Sequence, residues 1–250
     1  MPERFEDHWS TQAQQYASFR PRYPDELFAY LAALAPAQDF AWDCGAGSGQ
    51  AAAGLAKYFK QVLATDGSAD QIAQAVAHER IVYSLARAEE VSLPPRSVDL
   101  FAAAQAVHWF DLASFYPIVR QAAKPGGVLA VWMYYLPVIA PAIDQAVREF
   151  FTDVLAGFWP ERFHYLEARY RTLPFPFDEI ETPNFEMQAS WNLDQLAGFL
   201  DTWSAVRRFQ GERGVHPLQV VWPELSKAWG QPDQPRIVRW PIDLRVGKIL

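Results

Sequence analysis

The sequence predicts an α/β protein built on a doubly wound, mostly parallel sheet. Three observations carry that prediction. Short apolar segments alternate with helix-like segments from residue 39 to residue 135. One of them, Val98–Ala104 (VDLFAAA), is apolar almost throughout, as expected of a strand covered by helices on both faces. A glycine run, Gly45-Ala46-Gly47-Ser48-Gly49, stands where a strand hands over to a helix. Strands at this spacing are parallel and joined by right-handed crossover helices. Ligands of such sheets sit at the carboxyl ends of the strands.

The elements follow in order. Residues 39–44 form a short strand running into the glycine loop, and 50–60 an alanine-rich helix. Residues 61–66 (QVLATD) form a strand ending on an acid; 69–80 follow as a helix with Ser68 as its N-cap. A third strand covers 81–86, and Leu93-Pro94-Pro95 breaks the chain before the fourth. Residues 111–124 are helical, with Pro117 tolerable only near the start or at a kink. Pro125-Gly126-Gly127 stops that helix, and 128–135 (VLAVWMYY) make a fifth strand. Beyond it, 140–157 and 160–171 read as helices, 173–177 as an irregular connection, and 185–191 as an alternating strand. Residues 193–204 and 217–229 read as helices, and 236–249 as a last strand in which Pro241 implies an edge or a bulge.

Composition narrows the class of protein. The 250 residues are half hydrophobic, enough for one sizeable core, and disorder is excluded by the same figure. The single cysteine, Cys44, excludes an internal disulfide and a cysteine-cluster metal site. There is no apolar run long enough to span a membrane and no apolar N-terminal leader, so a soluble, cytoplasmic protein is expected. A net charge of −7 gives little electrostatic grip on a phosphate backbone, so no nucleic-acid partner is expected. Seven of the ten tryptophans fall after residue 130, an asymmetry the motifs below partly explain.

The glycine loop is the most informative segment. Its glycines permit a tight turn and close approach of a ligand, and the following helix aims its amides at that ligand. The dinucleotide pattern G-x-G-x-x-G requires a third glycine where Gln50 stands. Asp66, at a strand end, can accept hydrogen bonds from ribose hydroxyls or simply favour the next helix N-terminus. Glu89 can accept from an adenine amine or be a solvated loop acid, and Asp43 can organise the loop by accepting backbone N–H groups.

Taken in order, Asp43-Cys44-Gly45-Ala46-Gly47-Ser48-Gly49, Ala64-Thr65-Asp66-Gly67-Ser68, Ala88-Glu89, Ser97-Val98-Asp99-Leu100 and Lys124-Pro125-Gly126-Gly127 resemble the motif series of class I S-adenosylmethionine-dependent methyltransferases. Three further stretches are similar to the small-molecule branch that includes the trans-aconitate methyltransferase type. They are Tyr16-Ala17-Ser18-Phe19-Arg20-Pro21-Arg22-Tyr23-Pro24, Ala104-Gln105-Ala106-Val107-His108-Trp109-Phe110-Asp111 and Thr202-Trp203-Ser204-Ala205. The resemblance implies a seven-stranded sheet with an antiparallel last strand supplied by 236–249. It implies S-adenosylmethionine as cofactor, with Gly45, Ala46 and Gly47 at its methionine part, Asp66 at the ribose, and Ala88 and Glu89 at the adenine. Gln105 and Ala106 would close over the methionine side, and Tyr16 and Arg20 would lid the pocket. Asp43, Gly67, Ser68 and Gln71 complete the expected cofactor set. Residues 1–135 would then be the cofactor-binding core with its lid, and 136–250 a helical, substrate-selecting insertion plus the strands that complete the sheet.

Methyl transfer from a sulfonium is an in-line displacement in which the protein mainly positions the reactants, worth about 7–11 kcal/mol. Aromatic faces steady the cation by about 0.5–2 kcal/mol each. Trp109 is the expected aromatic wall and His108 a candidate general base for a hydroxyl acceptor. A carboxylate acceptor needs no base and calls instead for a cation such as Arg20 or Arg22. Trp132, Tyr134, Trp191 and Trp203 are further pocket candidates, whereas Trp222, Trp229 and Trp240 read as packing residues. No metal is expected, because the histidines show no ligand spacing. The expected enzyme is a methyltransferase acting on a small molecule, at oxygen, as a monomer or weak homodimer. An NAD-dependent oxidoreductase and a non-catalytic cofactor-binding protein are the alternatives.

Overall fold

The computed structural model describes residues 20–249. Helix α1 (Asp25–Leu34) leads into β1 (Phe40–Cys44), α2 (Gln50–Leu55), β2 (Gln61–Asp66), α3 (Ala69–Ala73), β3 (Ile81–Leu85) and β4 (Val98–Ala104). Then come α4 (Leu112–Ala122), β5 (Ala123–Tyr134), α5 (Pro141–Glu149), the short α6 (His164–Glu167), β6 (Asp178–Ile180) and β7 (Phe185–Trp191). Helices α7 (Leu193–Asp201), α8 (Ser204–Arg213) and α9 (Leu218–Trp229) precede β8 (Arg236–Lys248). No helix among the described residues is long and apolar enough to cross a membrane.

The strands form one sheet in the order β3-β2-β1-β4-β5-β8-β6, with β7 also on β8. β1 to β5 are parallel, and β8 runs antiparallel to β5, β6 and β7. Among the described residues the sheet therefore has eight strands rather than seven. The outer edge of β8 is paired in two pieces, by β6 opposite Val246–Lys248 and by β7 opposite 236–242. Pro183 lies in the gap between them and has no N–H to continue a ladder. Pro241 is not on an edge strand: it pairs with Glu186 of β7, one residue past the last β5 pair, Tyr134 opposite Ile242.

Other boundaries moved for steric reasons. α2 ends at Leu55, short of residue 60, because the chain must turn Phe59 into the core and enter β2 at Gln61. The Pro125-Gly126-Gly127 turn does not precede β5. It is a bulge inside that strand, where Val98–Leu100 of β4 opposes Ala123–Val128. Asp99, fully buried, explains why this corner is built from charged residues. Its Oδ2 accepts from the amide of Phe40 (2.9 Å) and from Lys124 Nζ (2.9 Å), tying β1, β4 and β5 together at their amino ends.

Both faces of the sheet are covered. Along β5, Val128, Ala130, Trp132 and Tyr134 face one core with Phe28 of α1 and the C-terminal helices. Leu129, Val131 and Met133 face the other, with Trp42, Phe101 and Phe115. α1 and α8 were not foreseen in the sequence; both are short helices packed on the first of these cores.

Candidate functional site

At the carboxyl ends of β1, β2, β4 and β5 lies a cleft of about 1210 Å³. Its floor is the glycine loop, shaped almost entirely by backbone. The Ala46 amide donates to Thr65 O (2.9 Å), and Asp66 accepts from the amides of Gly47 and Ser68 (2.8 Å each). Gly45 has φ +69°, and a Cβ there would stand 2.6 Å from the Ala106 Cβ. Gly47 has φ +56°, and a Cβ there would meet only Gln71 Oε1, at 3.6 Å. The first glycine is thus required for packing and the second for backbone geometry facing open cleft.

Asp43 and Ser68 stand behind this floor and do not line the cleft. Ser68 caps α3, accepting from the Gln71 amide. Asp43 is fully buried, and neither of its oxygens has a hydrogen-bond partner. Burial, reinforced by the charge of Asp66, lifts its carboxyl to about 7.

The expected residues Gly45, Ala46, Gly47, Asp66, Gly67, Gln71, Ala88, Glu89, Gln105 and Ala106 all line the cleft. Glu89 is anchored: its Oε1 accepts from the Asp111 amide (2.6 Å). Gln105 takes φ +54°, rare for a non-glycine, and is held there by β5. Its amide donates to Trp132 O (2.9 Å) and its Nε2 to Tyr134 O (2.8 Å), leaving Oε1 buried and unpartnered. Gln71 Oε1 is in the same condition. Two buried acceptors awaiting donors, beside a bare cradle and a strand-end acid, suit a polar ligand with amine and hydroxyl donors.

His108 and Trp109 follow β4 and line the cleft as well. The general-base expectation for His108 does not fit its surroundings. The ring is buried, its Nδ1 lies 2.7 Å from the Tyr170 hydroxyl, and Arg162 donates to the carbonyls of His108 (3.4 Å) and Phe110 (3.1 Å). Burial and the Arg162 charge push its pKa down to about 3, too weak to take a proton efficiently at neutral pH.

The far wall combines residues of the second half of the chain with Arg20 and Arg22 from its amino-terminal part. These arginines line the cleft with Tyr134 and Trp203, and Arg20 Nη1 donates to the Tyr134 hydroxyl (2.5 Å). Trp132 and Trp191 do not. Trp132 is fully buried under Tyr23 and Phe28, and Trp191 packs edge-on against Trp240 at 4.8 Å. Strand alternation decides this, since Trp132 points into the helix-covered face of β5. Of the three tryptophans read as packing, Trp229 and Trp240 are fully buried, while Trp222 is 38% exposed. Tyr16 lies outside the described residues. Sequence reasoning missed Phe151, Trp159 and Phe163, which stack as three rings with Trp159 in the middle, 4.3 Å and 4.7 Å from its neighbours. It also missed Phe199 and Arg208, and gave Ser204 only as part of a resembling stretch. Only the late tryptophan excess hinted at this wall. Among the described residues, no group of three His, Cys, Asp or Glu side chains could hold a metal ion.

This strand order and this cleft define a class I methyltransferase. Residues 42–131 match the family model of a methyltransferase domain. A protein of Dictyostelium discoideum described as a methyltransferase is 32% identical over 93% of this chain and 90% of its own length. A methyltransferase of Aspergillus candidus is 27% identical, and the chain spans 65% of its length. A solved structure described as a type II methyltransferase from Anaeromyxobacter dehalogenans is 47% identical, with a TM-score of 0.86 over 92% of this chain and 98% of that one. The chain belongs to the S-adenosylmethionine-dependent methyltransferases, and S-adenosylmethionine is its cofactor. That displaces both the oxidoreductase and the non-catalytic alternatives. When bound, the cofactor supplies a methyl group already activated on a sulfonium.

Proposed function

We propose that this enzyme methylates an oxygen of a small molecule, and that the oxygen belongs to a carboxylate. Gly45, Ala46 and Gly47 would hold the methionine part of the cofactor, Asp66 with Gly67 and Gln71 the ribose side, Ala88 and Glu89 the adenine, and Gln105 and Ala106 the sulfur side. Asp43 and Ser68 support that set from behind the loop. Trp109, Tyr134 and Trp203 wall the acceptor space, with Trp132 backing it from the core.

One observation carries the carboxylate reading: the acceptor wall combines arginines with aromatic rings, and its histidine is a poor base. The two neutral candidates are far from the pKa such a role needs, with His108 near 3 and Tyr135 lifted by burial to about 12. An acceptor ionised at neutral pH needs neither. Arg20, set on Tyr134, and Arg22, exposed at the rim, provide the complementary charge. The resemblance to the trans-aconitate methyltransferase type supports the same reading. The net charge of −7 supports a small molecule over a nucleic acid, and the enzyme would work in the cytoplasm as a monomer or weak homodimer.

The test is turnover with S-adenosylmethionine over matched panels of carboxylic acids, phenols and alcohols, read as S-adenosylhomocysteine produced. Methylation of acids but not of alcohols is expected, with Arg20→Ala raising acceptor KM about tenfold. Turnover confined to alcohols or phenols would sink the carboxylate reading, and an unchanged KM in both Arg20→Ala and Arg22→Ala would remove the arginines from it.

A further inference from the structure

The helix that begins the far wall has an unusual start. α8 (Ser204–Arg213) follows directly on Trp203, whose side chain supplies no cap. The amides of an uncapped first turn carry partial positive charge and seek an acceptor. Ser204, the first residue of the helix, is only 5% exposed, yet its Oγ has no hydrogen-bond partner. A buried hydroxyl left unpaired in a native structure asks for an explanation. Trp203, Ser204 and Arg208 all line the cleft. Ser204 and Arg208 are four residues apart, so they share one face of the helix, one turn from each other. Asp201, three residues before Ser204, does not line the cleft, and its Oδ1 lies 2.9 Å from His216 Nε2. A hydroxyl donor at the start of a helix and a guanidinium one turn on thus line the acceptor chamber beside the rings of Phe199 and Trp203.

We propose that the N-terminus of α8, with Ser204 and Arg208, joins Arg20 in holding the acceptor's carboxylate, and that the acceptor is a flat, largely apolar carboxylic acid. The anion completes the helix terminus and occupies the Ser204 hydroxyl, and the rings accept the apolar body. The neutral amide of the same acid has no charge to offer the helix end, so the site discriminates by charge rather than by shape. This inference rests on the carboxylate reading above.

The experiment is calorimetric titration of the protein saturated with S-adenosylhomocysteine, using trans-cinnamate and cinnamamide as probes. Cinnamate should bind at least tenfold more tightly than cinnamamide. Ser204→Ala and Arg208→Gln should each weaken cinnamate about five- to tenfold, with Arg208→Lys recovering part of the loss. Affinity for cinnamamide and for S-adenosylhomocysteine should stay unchanged, which also reports that the variants fold. No binding of cinnamate to the unaltered protein, or equal binding of acid and amide, overturns the proposal. If carboxylic acids are methylated but both variants keep cinnamate affinity within twofold, the α8 subsite is wrong while the carboxylate reading stands. If only hydroxyl acceptors turn over, both fall.

Discussion

The two walls of the cleft hold their shape by opposite means. The wall proposed for the cofactor is backbone: a glycine loop with positive φ, closed by main-chain bonds and by one carboxylate, Asp66. The wall proposed for the acceptor is side chain: Phe151, Trp159 and Phe163 stacked face to face, with Trp203 against Phe151 at 5.7 Å and Phe199 at 6.0 Å. A backbone wall cannot accept an added atom without strain, whereas a wall of rings loses contacts in proportion to what is removed. The cofactor half should therefore fail sharply under substitution and the acceptor half gradually, with a change in preference.

The sharpest way to break that contrast is Gly45→Ala. The new Cβ meets Ala106 at 2.6 Å in a left-handed backbone, so overpacking and strain together should cost about 3–5 kcal/mol, seen as near-loss of S-adenosylmethionine binding in calorimetry. Retained affinity would mean that the loop is far softer than its packing implies. Trp159→Ala should cost about 2–3 kcal/mol of stability, less than a fully buried tryptophan because the ring is half-buried. Cofactor affinity should stay within threefold while acceptor KM rises, and an equal loss of both would erase the distinction between the walls.

The third prediction uses pH. Asp43 has a folded pKa near 7 against an ordinary 3.8, so the fold binds its proton more tightly than the unfolded chain does. Its stabilising contribution is full below about 4 and is lost as pH rises through 7. His108 has the reverse sign in effect: its folded pKa near 3 means stability is present above 6.5 and lost as pH falls towards 3. The two slopes oppose each other between about pH 4 and 6.5. Asp43→Asn should remove one of them, leaving a melting temperature without cofactor that rises steadily from pH 4 to 6.5 and exceeds that of the unaltered protein at pH 8, by about 1–3 kcal/mol in stability. A variant with an unchanged pH profile would show that Asp43 is already satisfied in solution.

The smallest effect is expected from Tyr170→Phe. It removes the hydroxyl facing His108 Nδ1, leaves a buried nitrogen unpaired, and should cost about 1–2 kcal/mol, measured by chemical denaturation. S-adenosylmethionine affinity should not move, because Tyr170 does not line the cleft.

How much of this was legible depended on whether a residue's role is set by its neighbours in sequence. β2 and β4 stand at the residues the pattern gives, and Ser68 caps α3 as read, because strand ends and caps are local chemistry. α2 and α3 end early because the chain has to re-enter the sheet, which no helix propensity records. Residues 205–213 carry too little apolar periodicity to announce α8, yet that helix brings Ser204 and Arg208 to the cleft.

The glycine spacing, the strand-end acid at 66 and the order of motifs determined the doubly wound fold and the cofactor floor, since a left-handed turn and a helix N-terminus are specified within a few residues. Only the tertiary structure decided which tryptophans face the cleft. Trp132 and Trp191 went to the core and Trp159 to the cleft, because each ring's direction is fixed by sheet face and by partners far away in sequence. It also decided that His108 is a buried, neutral wall residue, because burial and Arg162, 54 residues away, set its proton affinity.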